Sequence, residues 1–435
     1  MAPRITIIGG GSFQWVPKLL VDLANTPTLH EAELVLEDID ASTLDPMAEF
    51  VEHVAKSRGI PLSVRTTTDQ RDALEGADYV VVSISTGGFD SMRHDIEIPE
   101  RYGIRQAVGD TVGPGGVVRA LRNIPVLVGI ARDMEELCPD AWLLNITNPM
   151  TTLCRAITRE TAVKTVGLCH EVTNCRYQLS QLLDRDFRDF DLDVEGVNHL
   201  PIITRLDVNG DDGFALISEL LERGSDDKLK HALLESNRVK FELFGRFGVL
   251  PAAGDRHLVE FFPGFLTEES GWGERWGVQL TTIEDREQWL DYYKAEFKQM
   301  REASEIPKTM SGEMVAPLID SFITGKERHL PLNVPNTGQC PDLPNDVVVE
   351  SICVTSDAGV RGGTETRAPF VLGEWLRRIS SSQEATVEAA LTGSHDTAVD
   401  AMLLDPLAGR IDFDRLEQMT DEMLSATSRW LPQFA

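Results

Sequence analysis

Arg4-Ile5-Thr6-Ile7-Ile8-Gly9-Gly10-Gly11-Ser12-Phe13 is the stretch that decides the fold. A β-branched run ends in three glycines, and Val16, Leu19, Leu20, Leu23 and Ala24 follow at the spacing of one helix face. In a strand–glycine turn–helix unit, backbone N–H groups at the helix N-terminus can meet a pyrophosphate, and the glycines let the backbone approach it. The turn is a Gly-x-Gly-Ser variant lacking the third glycine of the dinucleotide fingerprint, so on its own it reads equally as a tight connection. Asp38, which ends the next strand-like run Leu34-Val35-Leu36-Glu37, stands where an acid would bond ribose hydroxyls and reject a 2′-phosphate. Gly9, Gly11, Ser12, Phe13 and Asp38 together point to NAD rather than NADP.

Outward from this unit the pattern repeats. Arg4–Ile8, Glu33–Glu37, Asp78–Ser85, Ala141–Thr147 and Val163–Cys169 read as strands, and Leu44, Met47, Ala48, Val51, Val54 and Ala55 as a second helix face. Alternation of this kind predicts an α/β fold, a Rossmann-like doubly wound parallel sheet. Its unusual residues collect just after the strands: Gly9–Gly11, Asp38, Thr86–Gly88, Asn145–Pro149 and Cys169–Glu171. Open sheets bind ligands at that edge, so Thr86 and Asn145 join the expected cofactor contacts. Near Asn198 the grammar changes to a strand-like His199–Val208, a turn at Asn209–Gly213 and longer helical stretches at Lys228–Phe247 and Ile283–Ser304. The expected organisation is therefore a nucleotide-binding domain over 1–197 and a mixed α+β domain over 198–435, serving substrate, metal and oligomerisation.

Composition narrows the function. With 435 residues, 42% of them hydrophobic, the chain can bury large cores, and with 41 basic against 70 acidic residues its formal charge is −29. Such a field repels polyanions, so nucleic acid and anionic membranes are poor partners and an anionic substrate must be small and held by local arginines or lysines. No run reaches the length of a membrane span and Met1–Ile5 leads directly into a strand-like segment, which places the protein in the cytoplasm by expectation. Six cysteines without paired spacing are expected to remain thiols.

Several segments carry candidate chemistry. Cys169 and His170 follow a strand, and His199 lies 199 − 169 = 30 residues beyond Cys169. A thiolate and an imidazole could share a divalent cation, although buried, satisfied side chains explain the pair as well. Gly109-Asp110-Thr111-Val112-Gly113-Pro114-Gly115-Gly116 is a second glycine-rich loop, and Gly254-Asp255-Arg256-His257-Leu258-Val259-Glu260 gathers four ionisable groups. Either could be a solvated loop, and Arg93-His94-Asp95 could be a surface charge pair. Asn145-Ile146-Thr147-Asn148-Pro149 resembles the Asn-Pro segment of lactate and malate dehydrogenases.

Taken in order, Gly-Gly-Gly-Ser, Leu-Glu-Asp-Ile-Asp, the Arg93–Tyr102 segment, Gly-Asp-Thr-Val-Gly-Pro-Gly-Gly, Thr-Asn-Pro, Gly-Leu-Cys-His and Val-Asn-His resemble glycoside hydrolase family 4, the NAD- and divalent-metal-dependent glycosidases. The tetrad Cys169-His170-Glu171-Val172 resembles that family's α-galacturonidase branch, with α-glucuronidases and neutral α-galactosidases or α-glucosidases as the alternatives. The resemblance implies oxidation at sugar C3 by NAD, metal-assisted loss of the C2 proton, elimination and addition of water. It also implies Cys169 and His199 as ligands of the metal, Mn²⁺ by family although ligand softness alone would suggest zinc. Asn148 and Asp110 would bind or support the sugar, and His170 would occupy the position of a catalytic acid. Relatives with a Tyr base have no counterpart here, because no Tyr lies between Tyr177 and Tyr292, and the base is therefore assigned to Asp255, with His257 next. Arg93 is the candidate for the uronate carboxylate. A homodimer or homotetramer is expected. A 2-hydroxyacid dehydrogenase and a non-catalytic NAD-sensing protein are the readings from other classes.

Overall fold

The computed structural model describes residues 2–435. Six strands, β1 (Arg4–Ile8), β2 (Glu33–Glu37), β3 (Ser63–Thr67), β4 (Tyr79–Val82), β5 (Trp142–Asn145) and β6 (Lys164–Gly167), lie parallel in the order β6-β5-β4-β1-β2-β3. Their near-continuous apolar sequences follow from burial on both faces. Ile5, Ile7, Leu34, Leu36 and Val81 pack on one face against the helices Val16–Ala24, Ala41–Arg58 and Val315–Thr324. Ile8, Val35, Val80, Val82 and Leu143 pack on the other against Gly113–Leu137, Met150–Glu160 and Phe370–Thr392. The order reverses at β1, opening a crevice at the carboxyl ends of β1 and β4.

A second sheet is built on the antiparallel hairpin of β7 (Phe190–Val197) and β8 (Leu200–Val208), with β9 (Asp211–Asp212) and β10 (Leu250–Pro251) pairing to β8. The boundary expected at 197 thus falls in the hairpin's own turn, between two strands of one sheet. The later strands β11 (Arg328–Pro335), β12 (Val348–Ser356) and β13 (Gly359–Arg361) return to the first sheet and extend it antiparallel, through Asn333 opposite Gly167, to nine strands. The two halves are interleaved, which holds the β7–β8 turn against the parallel sheet's binding edge.

Three local differences bear on the site. The single helical stretch expected over Lys228–Phe247 is two helices, because the Asp255 carboxylate accepts from the N–H groups of Val239 (2.8 Å) and Lys240 (2.9 Å) and starts a new helix at Arg238. The Gly109–Gly116 loop leads into a 25-residue helix; a Cβ on Gly116 would lie 2.5 Å from the Thr111 carbonyl carbon, so the loop folds tightly over its own helix start. Asp95, expected in a surface pair, is fully buried and joined to the equally buried Arg122 by two bonds of 2.8 and 2.6 Å. No helix of the described residues is long and apolar enough to cross a membrane.

Candidate active site

The cofactor edge is set by the first turn. The Gly9 and Gly10 N–H groups donate to the Glu37 carbonyl, and Gly11 N–H donates to Asp38 Oδ2 at 3.0 Å. A Cβ on Gly11 would lie 1.8 Å from Thr43 Oγ1, and Gly9 has φ +84° with Ser83's carbonyl oxygen 2.0 Å from where its Cβ would stand. Only glycine fits at either position. Asp38 follows β2 half-exposed, while Ser12 and Phe13 follow the glycines and the Phe13 ring packs edge-on against Phe297 at 5.4 Å. Thr86 lies past β4, where its N–H donates to Asn123 Oδ1 at 3.1 Å. Asn145 is fully buried, and both polar atoms of its side chain bond Thr147's backbone. It shapes the Asn-Pro turn rather than facing a cofactor.

Three further donors converge. Ligand atoms of Asp110, His199 and His257 all lie within 4.8 Å of one another. Asp110 comes from the glycine loop, His199 from the β7–β8 turn, where it adopts φ +65°, and His257 from the helix Asp255–Phe261. A β-carbon-bearing residue in that conformation is uncommon and costs backbone strain. Thr111 Oγ1 donates to Asp110 Oδ1 at 2.7 Å and sits 2.8 Å from His199 Nδ1. With the hydroxyl proton directed at the carboxylate, His199 Nδ1 must carry its proton as the donor, which leaves Nε2 with a bare lone pair. The two imidazole rings stack at 3.7 Å. Burial, reinforced by His257, pushes His199 down to about 3, and burial also pushes His257 down to about 4, so both are neutral ligands at physiological pH. Burial alone would raise Asp110, but the positive charge around it, which at neutral pH is that of Arg286 and Arg119, reverses the shift and keeps the carboxylate ionised.

Two imidazoles and a carboxylate form a harder donor set than the Cys169–His199 pair alone, one that accommodates Mn²⁺ as well as zinc. Cys169 is buried beside Met150, Cys154 and Val348. Burial, then the nearby Glu350 and Glu171, hold its thiol well above the ordinary range.

The structure brings Asn148 to this cluster: its Nδ2 lies 3.4 Å from Asp110 Oδ2, and its buried Oδ1 has no partner. His170 caps the helix Glu171–Leu183, with Nδ1 3.2 Å from Glu313 Oε1 and Nε2 3.7 Å from Glu171 Oε1. Burial would lower it, but the two carboxylates raise it above an ordinary histidine. Asp255 lines the neighbouring cleft, but both its oxygens already accept backbone N–H bonds, and burial raises its pKa against them. It positions the helix start, so the residue that the sequence assigned as base already has a backbone N–H bond at each oxygen. Arg93 is also displaced from its expected role. It lies on the surface of the helix Gly88–Arg101, paired with Glu97 (2.9 Å), Glu284 (3.6 Å) and Glu287 (3.5 Å).

Sequence reasoning missed Thr111, Glu171's placement, Arg256 and Arg286. Glu171 Oε2 accepts from Gly254 N–H at 2.5 Å, and Glu171 lines a cleft with His257, Arg256, Arg286 and Trp289. Glu171 and Arg256 stand inside quoted motifs, but Arg286 is one charged residue in a polar helix and carried no signal.

A nucleotide-type sheet edge joined to a buried carboxylate–imidazole cluster defines a redox-type, metal-competent enzyme. Residues 4–185 match the family 4 glycosyl hydrolase profile and residues 194–408 that family's C-terminal domain; the chain belongs to glycoside hydrolase family 4. It is 33% identical over 462 residues to an α-galacturonidase of Lachnoclostridium phytofermentans, covering 99% of this chain and 97% of that one. It is 32% identical over 438 residues to an α-galactosidase of Bacillus subtilis, covering 99% of each. The crystal structure of the Bacillus subtilis protein lplD, described as a glucosidase, superposes with a TM-score of 0.89 at 30% identity over 97% of this chain and 99% of that one. A 6-phospho-α-glucosidase from gut microorganisms, in complex with NAD and Mn²⁺, shares the fold with a TM-score of 0.82 at 21% identity over the whole of both chains.

Proposed function

We propose that this glycosidase is an NAD- and Mn²⁺-dependent α-galacturonidase that cleaves short uronides in the cytoplasm. The observation that carries the reading is the Asp110/His199/His257 donor set, whose His257 lines one cleft with Glu171 of the Cys169-His170-Glu171-Val172 tetrad. Family membership displaces the dehydrogenase and NAD-sensor readings. The distant structural neighbour in complex with NAD and Mn²⁺ supports the cofactor pair.

When bound, NAD would accept hydride from sugar C3 and the metal would act as a Lewis acid on the sugar, making the C2 proton removable. Asp110, His199 and His257 would hold the ion, and Cys169 would join them by losing its thiol proton on binding. Thr111 fixes the His199 tautomer. Asn148, with its unpartnered Oδ1, would accept from a sugar hydroxyl. Glu171 takes the base role in place of Asp255, since on the cleft wall only its Oε2 accepts a backbone N–H. His170, set between Glu313 and Glu171, would give its proton to the departing glycosidic oxygen.

A neutral α-galactoside is the second reading, favoured by the near-equal identity to an α-galactosidase. Comparing kcat/KM for matched aryl α-galacturonide, α-glucuronide, α-galactoside and α-glucoside decides between them; preference for a neutral sugar refutes the uronide.

A further inference from the structure

We infer that Arg256 and Arg286 form the recognition pocket for the substrate's carboxylate. The inference rests on the uronide reading above and names the side chains that would enforce it.

Both guanidiniums line the cleft that contains His257 and Glu171. They reach it from different elements: Arg256 from the short helix Asp255–Phe261, Arg286 from the helix Ile283–Glu302. Consecutive carbonyls of the glycine loop's approach fix them in place. Arg256 Nη2 donates to the Ala107 oxygen at 2.7 Å and to Thr281 Oγ1, and Arg286 Nη2 donates to the Val108 oxygen at 2.5 Å. Arg256 also lies over the Trp289 ring at 5.4 Å, which limits its rotamers.

Anchoring one Nη of each fork leaves the rest of it without a partner. The Nε atoms of both arginines are buried and unbonded, and among the described residues neither guanidinium forms an ion pair, whereas Arg93 on the surface has three carboxylates around it. In a chain with 70 acidic residues against 41 basic ones, two half-buried cations side by side without a paired carboxylate are conspicuous. Like charges so placed repel, and although Asp110, Glu260 and Asp285 act on them without pairing to either, an arriving anion would offset the remaining repulsion and desolvation. A planar carboxylate matches the free donors of two guanidiniums, and this pocket adjoins the Asp110/His199/His257 cluster where a sugar ring would sit. A neutral CH₂OH group offers no charge to offset either cation.

The test compares Arg256→Gln, Arg286→Gln and Arg286→Lys with the wild type, all loaded with NAD and Mn²⁺ under thiol reductant, on 4-nitrophenyl α-galacturonide and α-galactoside. The ratio of the two kcat/KM values should fall about 10- to 100-fold in each Gln variant, the range expected when a charge-assisted contact is lost. Arg286→Lys, which keeps the charge but not the fork, should fall by less. Calorimetric binding of free galacturonate against galactose gives the same comparison without turnover, and each variant's thermal midpoint reports that it is folded. A wild-type preference for galacturonide that survives unchanged in the folded Gln variants overturns the arginine pocket and leaves the uronide reading intact. A wild-type preference for galactoside overturns both.

Discussion

Asp38→Asn isolates the acidic residue on which the choice of NAD over NADP rests. Asn keeps the shape of the side chain, and its oxygen can still accept from Gly11 N–H, which now reaches Asp38 Oδ2 at 3.0 Å, so the glycine turn should survive. What disappears is the charge, together with the bond that Asp38 Oδ1 accepts from the exposed Asp40 N–H at 3.0 Å. A charge-assisted bond to a ribose hydroxyl contributes about 1.5–3 kcal/mol, and its loss weakens NAD by about 10- to 150-fold. For NADP the change has the other sign. A carboxylate about 4 Å from a phosphate charge costs about 4 kcal/mol at an effective dielectric near 20. Asp38's half-exposed position and salt screening reduce that to about 2 kcal/mol. Adding about 2 kcal/mol lost for NAD to about 2 kcal/mol relieved for NADP moves the preference about 1,000-fold toward NADP. Tryptophan fluorescence titration of both nucleotides, with a thermal midpoint to confirm folding, reads the ratio. An unchanged ratio in a folded variant would refute the ribose assignment and leave Asp38 as a clamp on the Gly11 turn.

Other perturbations probe the remaining parts. Asp110→Asn or His257→Ala should weaken Mn²⁺ by at least tenfold in a competition titration with a chelating dye, whereas metal binding indistinguishable from wild type in both would return the site to Cys169 and His199 alone. Glu171→Gln should lose most of kcat while binding NAD normally; wild-type turnover would move the base elsewhere. Glu195, buried on β7, is pushed up to about 7 by burial against the N–H bond it accepts from Ala368. Its folded pKa is raised, so its stabilising contribution is complete below about 4.5 and fades as pH rises through about 7. Relative to Glu195→Gln, the wild type should therefore lose about 2 kcal/mol between pH 4.5 and 8 in urea midpoints, and parallel pH profiles would contradict the burial argument.

Much of the first sheet was readable because its strands are buried on both faces and punctuated by glycine. Ile5, Ile7 and Leu34–Leu36 announce themselves by β-branching and apolarity, and the Val16–Ala24 helix by its spacing. The edge strand β3, Ser-Val-Arg-Thr-Thr, is half-exposed along its length and carries no apolar alternation, so it was not recognised. The return of β11–β13 to the first sheet is a long-range pairing, through Asn333 and Gly167, that local pattern does not encode. In the site, residues adjacent to strand ends were legible as candidates, while their partners were not. Asp255 looked like a base in its motif, and only the start of the helix at Arg238, distant in sequence, shows its oxygens engaged. Arg93 reads from sequence either as a surface charge pair or as the uronate's partner, and the Glu284 and Glu287 that pair with it come from a helix nearly two hundred residues away.

The central claim is that the glycosidic bond leaves by redox elimination rather than direct displacement, and deuterium at C2 tests it most directly. The enzyme loaded with NAD and Mn²⁺ is run to completion on an α-galacturonide in D₂O, and the released galacturonate is read by mass and proton spectra. Deuterium at C2 of the product, absent from galacturonate incubated with the enzyme freed of NAD and metal, is the predicted result. Product bearing only the original hydrogen at C2 after full turnover would contradict the account.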